Sequence, residues 1–241
     1  MAAKKPTFCT FCGGDKSLGP LNKEHFVPKC LWANSRPTQT KTVPAHEKCN
    51  SALAKDNEYF RDVLIIEADA GAHPEVEKLR SGEFERKLRK KPGEISKLLA
   101  DVRFLPQVTP NGVYAGHSLA VRVDRERIDR VLYNVMRGVF YLVNKEPMPL
   151  DWEWGISRQE EIPGDVLLNL AEQIGPAWHT FGDDVFACRY IFDYDKGAMQ
   201  CFMRFYRGRI YIGGAYSDIH IRAAIVKFQK SFKPDQEDTS I

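Results

Sequence analysis

Two short motifs near the start of the chain constrain its fold more than any other feature. Cys9 and Cys12 form a Cys-x-x-Cys pair, and His46 and Cys49 form a second pair with the same spacing. Two side chains three residues apart on a tight turn can point at one ion, and thiolate and imidazole ligands suit tetrahedral Zn²⁺. The sequence therefore predicts a structural zinc site that closes the 33 residues between the pairs into a loop.

The remaining three cysteines are predicted to be one alternative zinc ligand and two core residues. Cys30 is a rival fourth ligand, but His46 is preferred because its spacing to Cys49 repeats that of the first pair. Cys188 and Cys201 lie in apolar runs typical of strands, so we expect them in the core.

The composition favours a globular protein with a polyanionic partner. Residues 1–62 contain ten Lys and Arg against six Asp and Glu, whereas the rest of the chain contains 25 against 26. A basic excess beside the cysteine-rich stretch hints at nucleic acid. The first residues lack the apolar core of a secretory signal, and no apolar run reaches the roughly 20 residues of a membrane span. We therefore expect a cytoplasmic protein without a membrane segment. In the reducing cytoplasm, thiols bind metals rather than form disulfides.

Residues inside and next to the zinc loop suggest chemistry as well as folding. Glu24 and His25 are adjacent, and Asn50 directly follows Cys49. Phosphodiester hydrolysis needs a base and a cation that neutralises charge on the phosphate. An imidazole can be the base, and the side-chain oxygens of Glu24 and Asn50 can bind a hard ion such as Mg²⁺ or Mn²⁺. The pattern favours a nuclease.

The stretch "CTFC…EHFVPKCL…VPAHEKCNSALAKD" resembles the HNH, or ββα-metal, endonucleases of the zinc-stabilised branch. The resemblance covers residues 7–62, about a quarter of the chain. It implies that Glu24 and Asn50 bind a catalytic metal and that His25 is the general base. It also implies a β-hairpin and helix that grip this metal, with DNA as the substrate and a phage or defence-related setting.

Three departures from the family pattern are visible. Glu24 stands where the family more often has Asp, and His46 replaces a cysteine ligand; both changes keep the ligand chemistry. Asn34 is the only candidate for the family's middle Asn. The alternative function is a non-catalytic zinc module that binds nucleic acid or protein. Four lysines are candidates for phosphate contacts, namely Lys29, Lys41, Lys48 and Lys55.

The layout predicts an α+β protein: an N-terminal zinc-stabilised ββα-metal module, a helical middle, and a C-terminal antiparallel β-sheet with helices. The corresponding boundaries are 1–62 for the module, 63–145 for the helical middle, 146–233 for the C-terminal part and 234–241 for a tail. The C-terminal part carries no recognisable motif, and it could form a homodimer or bind a partner protein.

Hydrophobic periodicity predicts the individual elements. A helix should begin near Pro44–His46 and run through "EKCNSALAKDNEYFRDVLIIEA". The clearest helix follows Asp124, a predicted N-cap, and carries an apolar stripe over residues 128–140. Further helices are expected at "PEVEKLRSGEFERKLRKK" and "PGEISKLLADV", both charged and at the surface, and at "GDVLLNLAEQI". Strands are expected at "VYAGHSLAVRVD" and, as a meander, at 185–194, 198–206 and 209–216.

Overall fold

Helices and strands are mixed along the chain in the computed structural model, which describes residues 7–33, 40–67, 73–93, 96, 102–109, 111–195 and 197–217. The described helices are α1 (Glu47–Ala52), α2 (Ala54–Glu67), α3 (Pro74–Leu79), α4 (Glu85–Lys90), α5 (Arg125–Asn144) and α6 (Gly164–Ile174). The described strands are β1 (Leu21–His25), β2 (Thr42–His46), β3 (Arg103–Val108), β4 (Tyr114–Ala120), β5 (Glu153–Arg158), β6 (His179–Phe181), β7 (Phe186–Asp193), β8 (Ala198–Phe205) and β9 (Arg209–Tyr216).

The N-terminal unit is an antiparallel hairpin followed directly by a helix. Strands β1 and β2 pair so that Glu24 lies opposite Val43 and His25 opposite Thr42. The helix predicted to begin near Pro44–His46 has His46 as its N-cap, because pairing with β1 keeps the chain extended as far as that residue. The helix begins at Glu47 and is interrupted at Leu53 before α2 continues.

Helix α5 is the central helix, and its predicted features are confirmed. Asp124 caps it, because its carboxylate accepts a hydrogen bond from the Arg127 N–H (3.3 Å). The stripe predicted over 128–140 is buried. Among the residues that the structure describes, no helix combines the length and the apolar character needed to cross a membrane.

The C-terminal sheet has five antiparallel strands in the order β5-β9-β8-β7-β6. The predicted meander corresponds to β7, β8 and β9, and the predicted helix at "GDVLLNLAEQI" is α6. Cys188 and Cys201 are buried in this sheet, as expected. The sequence did not predict the two outer strands, since β6 is only three residues long and β5 lacks clear alternation.

The described residues in the middle of the chain form a two-stranded sheet as well as helices. The strand predicted at "VYAGHSLAVRVD" is β4. It pairs with β3, which the sequence did not predict because Pro106 interrupts an otherwise strand-like run. The helix at "PEVEKLRSGEFERKLRKK" consists of α3, a π-helical turn at Arg80–Phe84, and α4. It is not wholly at the surface, since Val76 and Leu79 are buried. Most of "PGEISKLLADV" lies outside the described residues.

Apolar side chains of the N-terminal unit pack against α5 and the sheet. The Phe26 ring lies 5.3 Å from the Phe181 ring, edge to face. Gly138 of α5 faces Phe26 so closely that an added Cβ would lie 2.3 Å from the Cβ of Phe26. Trp32 is 5% exposed, and its Nε1–H donates to the Gly182 carbonyl (3.1 Å). The hairpin is therefore anchored on one hydrophobic core that it shares with the sheet.

Candidate metal centre and active site

The structure brings the four predicted zinc ligands together. The donor atoms of Cys9, Cys12, His46 and Cys49 all lie within 4.8 Å of one another. The Nδ1 atom of His46 is 3.3 Å from the Cys12 sulfur and 4.0 Å from the Cys49 sulfur. Ligands at zinc distances on a tetrahedron are separated by roughly 3.3–3.8 Å. This Cys₃His cluster could therefore hold a structural metal ion such as zinc.

A tight turn presents the first pair of cysteines. The Cys9 N–H donates to the Gly14 carbonyl (2.8 Å), and the Gly13 N–H donates back to the Cys9 carbonyl (2.9 Å). Gly13 adopts a positive φ of 67°, which costs glycine little. The Thr10 N–H donates to the Pro44 carbonyl (2.8 Å) and joins the turn to β2. The turn thus holds the first pair beside the second one.

A hydrogen bond fixes which nitrogen of His46 faces the cluster. Its Nε2 lies 2.9 Å from the Asp15 carbonyl oxygen, which can only accept a hydrogen bond. Nε2 must therefore carry the proton, which leaves the Nδ1 lone pair directed at the three sulfurs. A carbonyl behind a ligating imidazole is a common way to orient a metal ligand. The sequence does not predict this role of Asp15, because no residue spacing identifies a backbone acceptor.

The thiols influence one another strongly. Burial raises the pKa of Cys9, but hydrogen bonds from the backbone of His46, Cys12 and Phe11 outweigh burial and leave this pKa below its ordinary value. Burial and the neighbouring Cys12 and Cys9 groups raise the pKa of Cys49 to about 12. Several thiolates this close repel one another, and a divalent cation among them would remove that repulsion.

A buried cation lies close to the cluster. Arg137 of α5 is 3% exposed, and its Nη2 donates to the Met148 carbonyl at 3.3 Å. No carboxylate of the described residues pairs with it. Burial lowers the pKa of Arg137, while Tyr133 and the three cysteines of the cluster act in the opposite direction. A divalent ion with three thiolates and one neutral imidazole carries an excess negative charge, which this guanidinium would offset.

Cys30 lies apart from the metal cluster. Its thiol donates to the Asn57 carbonyl (3.3 Å) at the start of α2. Burial raises the pKa of Cys30 to about 12, so the group stays a neutral thiol at neutral pH. Both facts favour His46 as the fourth ligand, in agreement with the choice made from the sequence.

Glu24 and Asn50 are in direct contact. The Asn50 Nδ2 donates to Glu24 Oε2 at 2.8 Å, joining β1 to α1. Asn50 follows Cys49 in the first turns of α1, so the cluster fixes its position. One oxygen of each side chain takes no part in this bond. The contact therefore places a carboxylate and an amide oxygen at one end of the hairpin.

His25 is the last residue of β1 and is half-buried. Its Nδ1 is buried and has no hydrogen-bond partner within the described part of the chain. Burial, followed by the positive charge of Lys29, lowers the pKa of His25. The imidazole is therefore neutral at neutral pH, which is the form that can accept a proton.

The remaining predicted residues have simpler environments. The four candidate phosphate contacts are all exposed: Lys29, Lys41, Lys48 and Lys55. Asn34 lies outside the described residues. Arg137 was missed by the sequence analysis, although a charged residue within an apolar stripe is a signal that could have identified it.

Comparison of the chain with models of protein families, with curated proteins and with solved structures found no match.

Proposed function

We propose that this protein is a metal-dependent endonuclease of the HNH type that hydrolyses phosphodiester bonds in DNA. The observation that carries the proposal is the contact between Glu24 and Asn50 at 2.8 Å, on a hairpin and helix joined by the Cys₃His cluster. His25 directly follows Glu24 on the same strand. A base and two oxygen ligands then occupy one small unit.

The donor set of Glu24 and Asn50 fits a hard divalent cation. Mg²⁺ and Mn²⁺ prefer carboxylate and amide oxygens and keep several waters, so two protein ligands are enough. When bound, such an ion would neutralise charge on the phosphate and on the leaving oxygen. The three sulfurs of the cluster would instead retain a softer ion such as zinc.

His25 supplies the base in this proposal. A neutral imidazole removes a proton from the attacking water, and it is neutral here because burial and Lys29 lower its pKa. Because Nδ1 is buried away from water, Nε2 is the nitrogen that would accept this proton.

The structural metal then explains how the reacting groups keep their positions. Cys49 and Asn50 are neighbours in α1, and His46 ends the strand that pairs with β1. Loss of the cluster would release both elements at once. Rigid support of this kind is needed because small displacements of catalytic groups cost large factors in rate.

A plasmid cleavage assay with controlled metal content tests the proposal. Brief mild chelation should stop cleavage of supercoiled DNA while the protein keeps its zinc, and added Mg²⁺ or Mn²⁺ should restore cleavage. Glu24→Gln, which keeps the size of the side chain, should require more Mg²⁺ for the same rate. If zinc-replete wild-type protein binds DNA but never cuts it with any divalent ion, the non-catalytic zinc module becomes the better account.

A further inference from the structure

A groove beside the proposed active site is lined, apart from Lys41, by residues to which the nuclease proposal assigns no role. It runs between the C-terminal half of α5 and the edge strand β6 with its neighbour β7, and has a volume of about 300 Å³. We call it the edge groove. Its lining includes Lys41, Val139, Lys145, His179, Phe181 and Tyr190.

The edge groove begins at the same end of the hairpin as His25. Lys41 immediately precedes Thr42, which is the pairing partner of His25. Phe26, the residue after His25, contacts Phe181 of the groove with ring centroids 5.3 Å apart. Lys41 therefore places one end of the edge groove at the end of the hairpin that carries His25.

An aromatic face is exposed on the wall of the groove. His179 is exposed on β6, the outermost strand of the sheet, and its ring stacks on that of Tyr190. The two centroids are 5.2 Å apart with 19° between the planes. Tyr190 supports one face of the imidazole, so the opposite face can receive a flat ligand. Stacking on such platforms is how proteins hold unpaired bases.

The charge of the edge groove favours an anionic ligand. Its lining residues include two lysines and no carboxylate. Lys145 donates to the Leu142 carbonyl at the end of α5, so its ammonium group is engaged at the helix terminus. Lys41 is exposed and lies at the end nearest His25, where a phosphate next to a stacked base would pass.

We propose that the edge groove binds one unstacked base of a single DNA strand, with Lys41 at its phosphate and His179 against its ring. The volume, at the lower end of small-ligand sites, suits one nucleotide rather than a base pair. The proposal rests on the nuclease function, because it makes the groove part of the same substrate path. It implies that the enzyme prefers unpaired or distorted DNA.

Fluorescence anisotropy with labelled oligothymidine and with a duplex of the same length tests this inference. The measurements use buffer without added Mg²⁺ or Mn²⁺, so binding is read separately from cleavage. His179→Ala should weaken single-strand binding about 5- to 10-fold and duplex binding much less. His179→Tyr should restore the affinity, because it keeps an aromatic face. His117→Ala removes an exposed histidine of β4, which belongs to a separate two-stranded sheet and does not line the groove, and this variant should bind like wild type.

Salt dependence separates the role of Lys41 from that of His179. Lys41→Ala should lower the slope of log affinity against log salt by about 0.7, the value for one phosphate on a single strand. His179→Ala should leave that slope unchanged.

Two results would overturn the inference. These are no binding of oligothymidine by wild type, or equal losses for His179→Ala and His117→Ala. Failure of the nuclease proposal would be seen differently, as an uncut plasmid with the binding differences intact.

Discussion

The N-terminal unit and the C-terminal sheet are held together in different ways. Buried side chains of the sheet, such as Phe205 and Tyr211, pack against Phe60 of α2. The ring centroids of Phe60 and Phe205 are 5.1 Å apart. The buried Phe26 ring of the N-terminal unit instead packs against Phe181 of the sheet. Within the unit, the Cys₃His cluster brings the first turn together with β2 and α1. A metal ion in this cluster could therefore hold a short segment in place although the segment has no hydrophobic core of its own.

The largest effect is expected from removing a ligand of the Cys₃His cluster. Cys49→Ala should reduce zinc content from about one ion per chain to near zero, because the remaining ligands no longer close a tetrahedron. Binding of structural zinc contributes about 10–16 kcal/mol to the folding of small zinc modules. The hairpin and α1 should therefore lose protection against proteolysis, measured together with metal content.

Cys30→Ala is the matched control for that experiment. Cys30 bonds to the Asn57 carbonyl and not to the cluster, so its variant should keep the zinc. Retention of zinc by Cys49→Ala, together with its loss from Cys30→Ala, would show that the ligand set is wrong.

The next largest effect is expected from placing a charge in the hydrophobic core. Val135 of α5 is 1% exposed, so Val135→Asp would bury an unpaired carboxylate. Such charges cost about 3–5 kcal/mol, and we expect loss of soluble expression or a large fall in the denaturant midpoint. Val143→Asp on the same helix is the control, because Val143 is 38% exposed. Equal stability of the two variants would mean that the stripe is not the core.

A smaller effect tests the junction between the two regions. Gly138→Ala would force a Cβ to within 2.3 Å of Phe26 and should destabilise the protein by about 1–3 kcal/mol, measured by denaturant unfolding. Zinc content should stay unchanged, because the clash lies outside the cluster. Gly82→Ala has no atom within 4 Å of the new Cβ and should be neutral or slightly stabilising. If Gly138→Ala also behaves in that way, the hairpin does not pack on α5.

The sequence predicted those parts of the fold and site that depend on local spacing. The metal cluster follows from two pairs of ligands at the same interval, and α5 follows from its apolar stripe and from Asp124. Strands β7, β8 and β9 follow from apolar runs separated by turns. Each of these signals is a pattern within one short stretch of sequence or, for the cluster, the same spacing in two ligand pairs.

Features that depend on distant neighbours could not be predicted. Strand β6 forms because it pairs with β7, and its three residues are too few to show the alternation of a strand. The proton on Nε2 of His46 is set by the carbonyl of Asp15, which any residue type could supply. The contact between Arg137 and Met148 depends on how α5 meets the chain that follows it. These details require the three-dimensional arrangement.

The proposed nuclease activity is tested most directly by measuring cleavage and zinc content in the same preparation of His25→Ala. We expect full zinc content, unchanged DNA affinity and a cleavage rate reduced roughly 10²–10⁴-fold, because a general base acts in the transition state. Cleavage by pure His25→Ala protein at the wild-type rate would show that His25 is not the base and place any nuclease activity elsewhere in the chain.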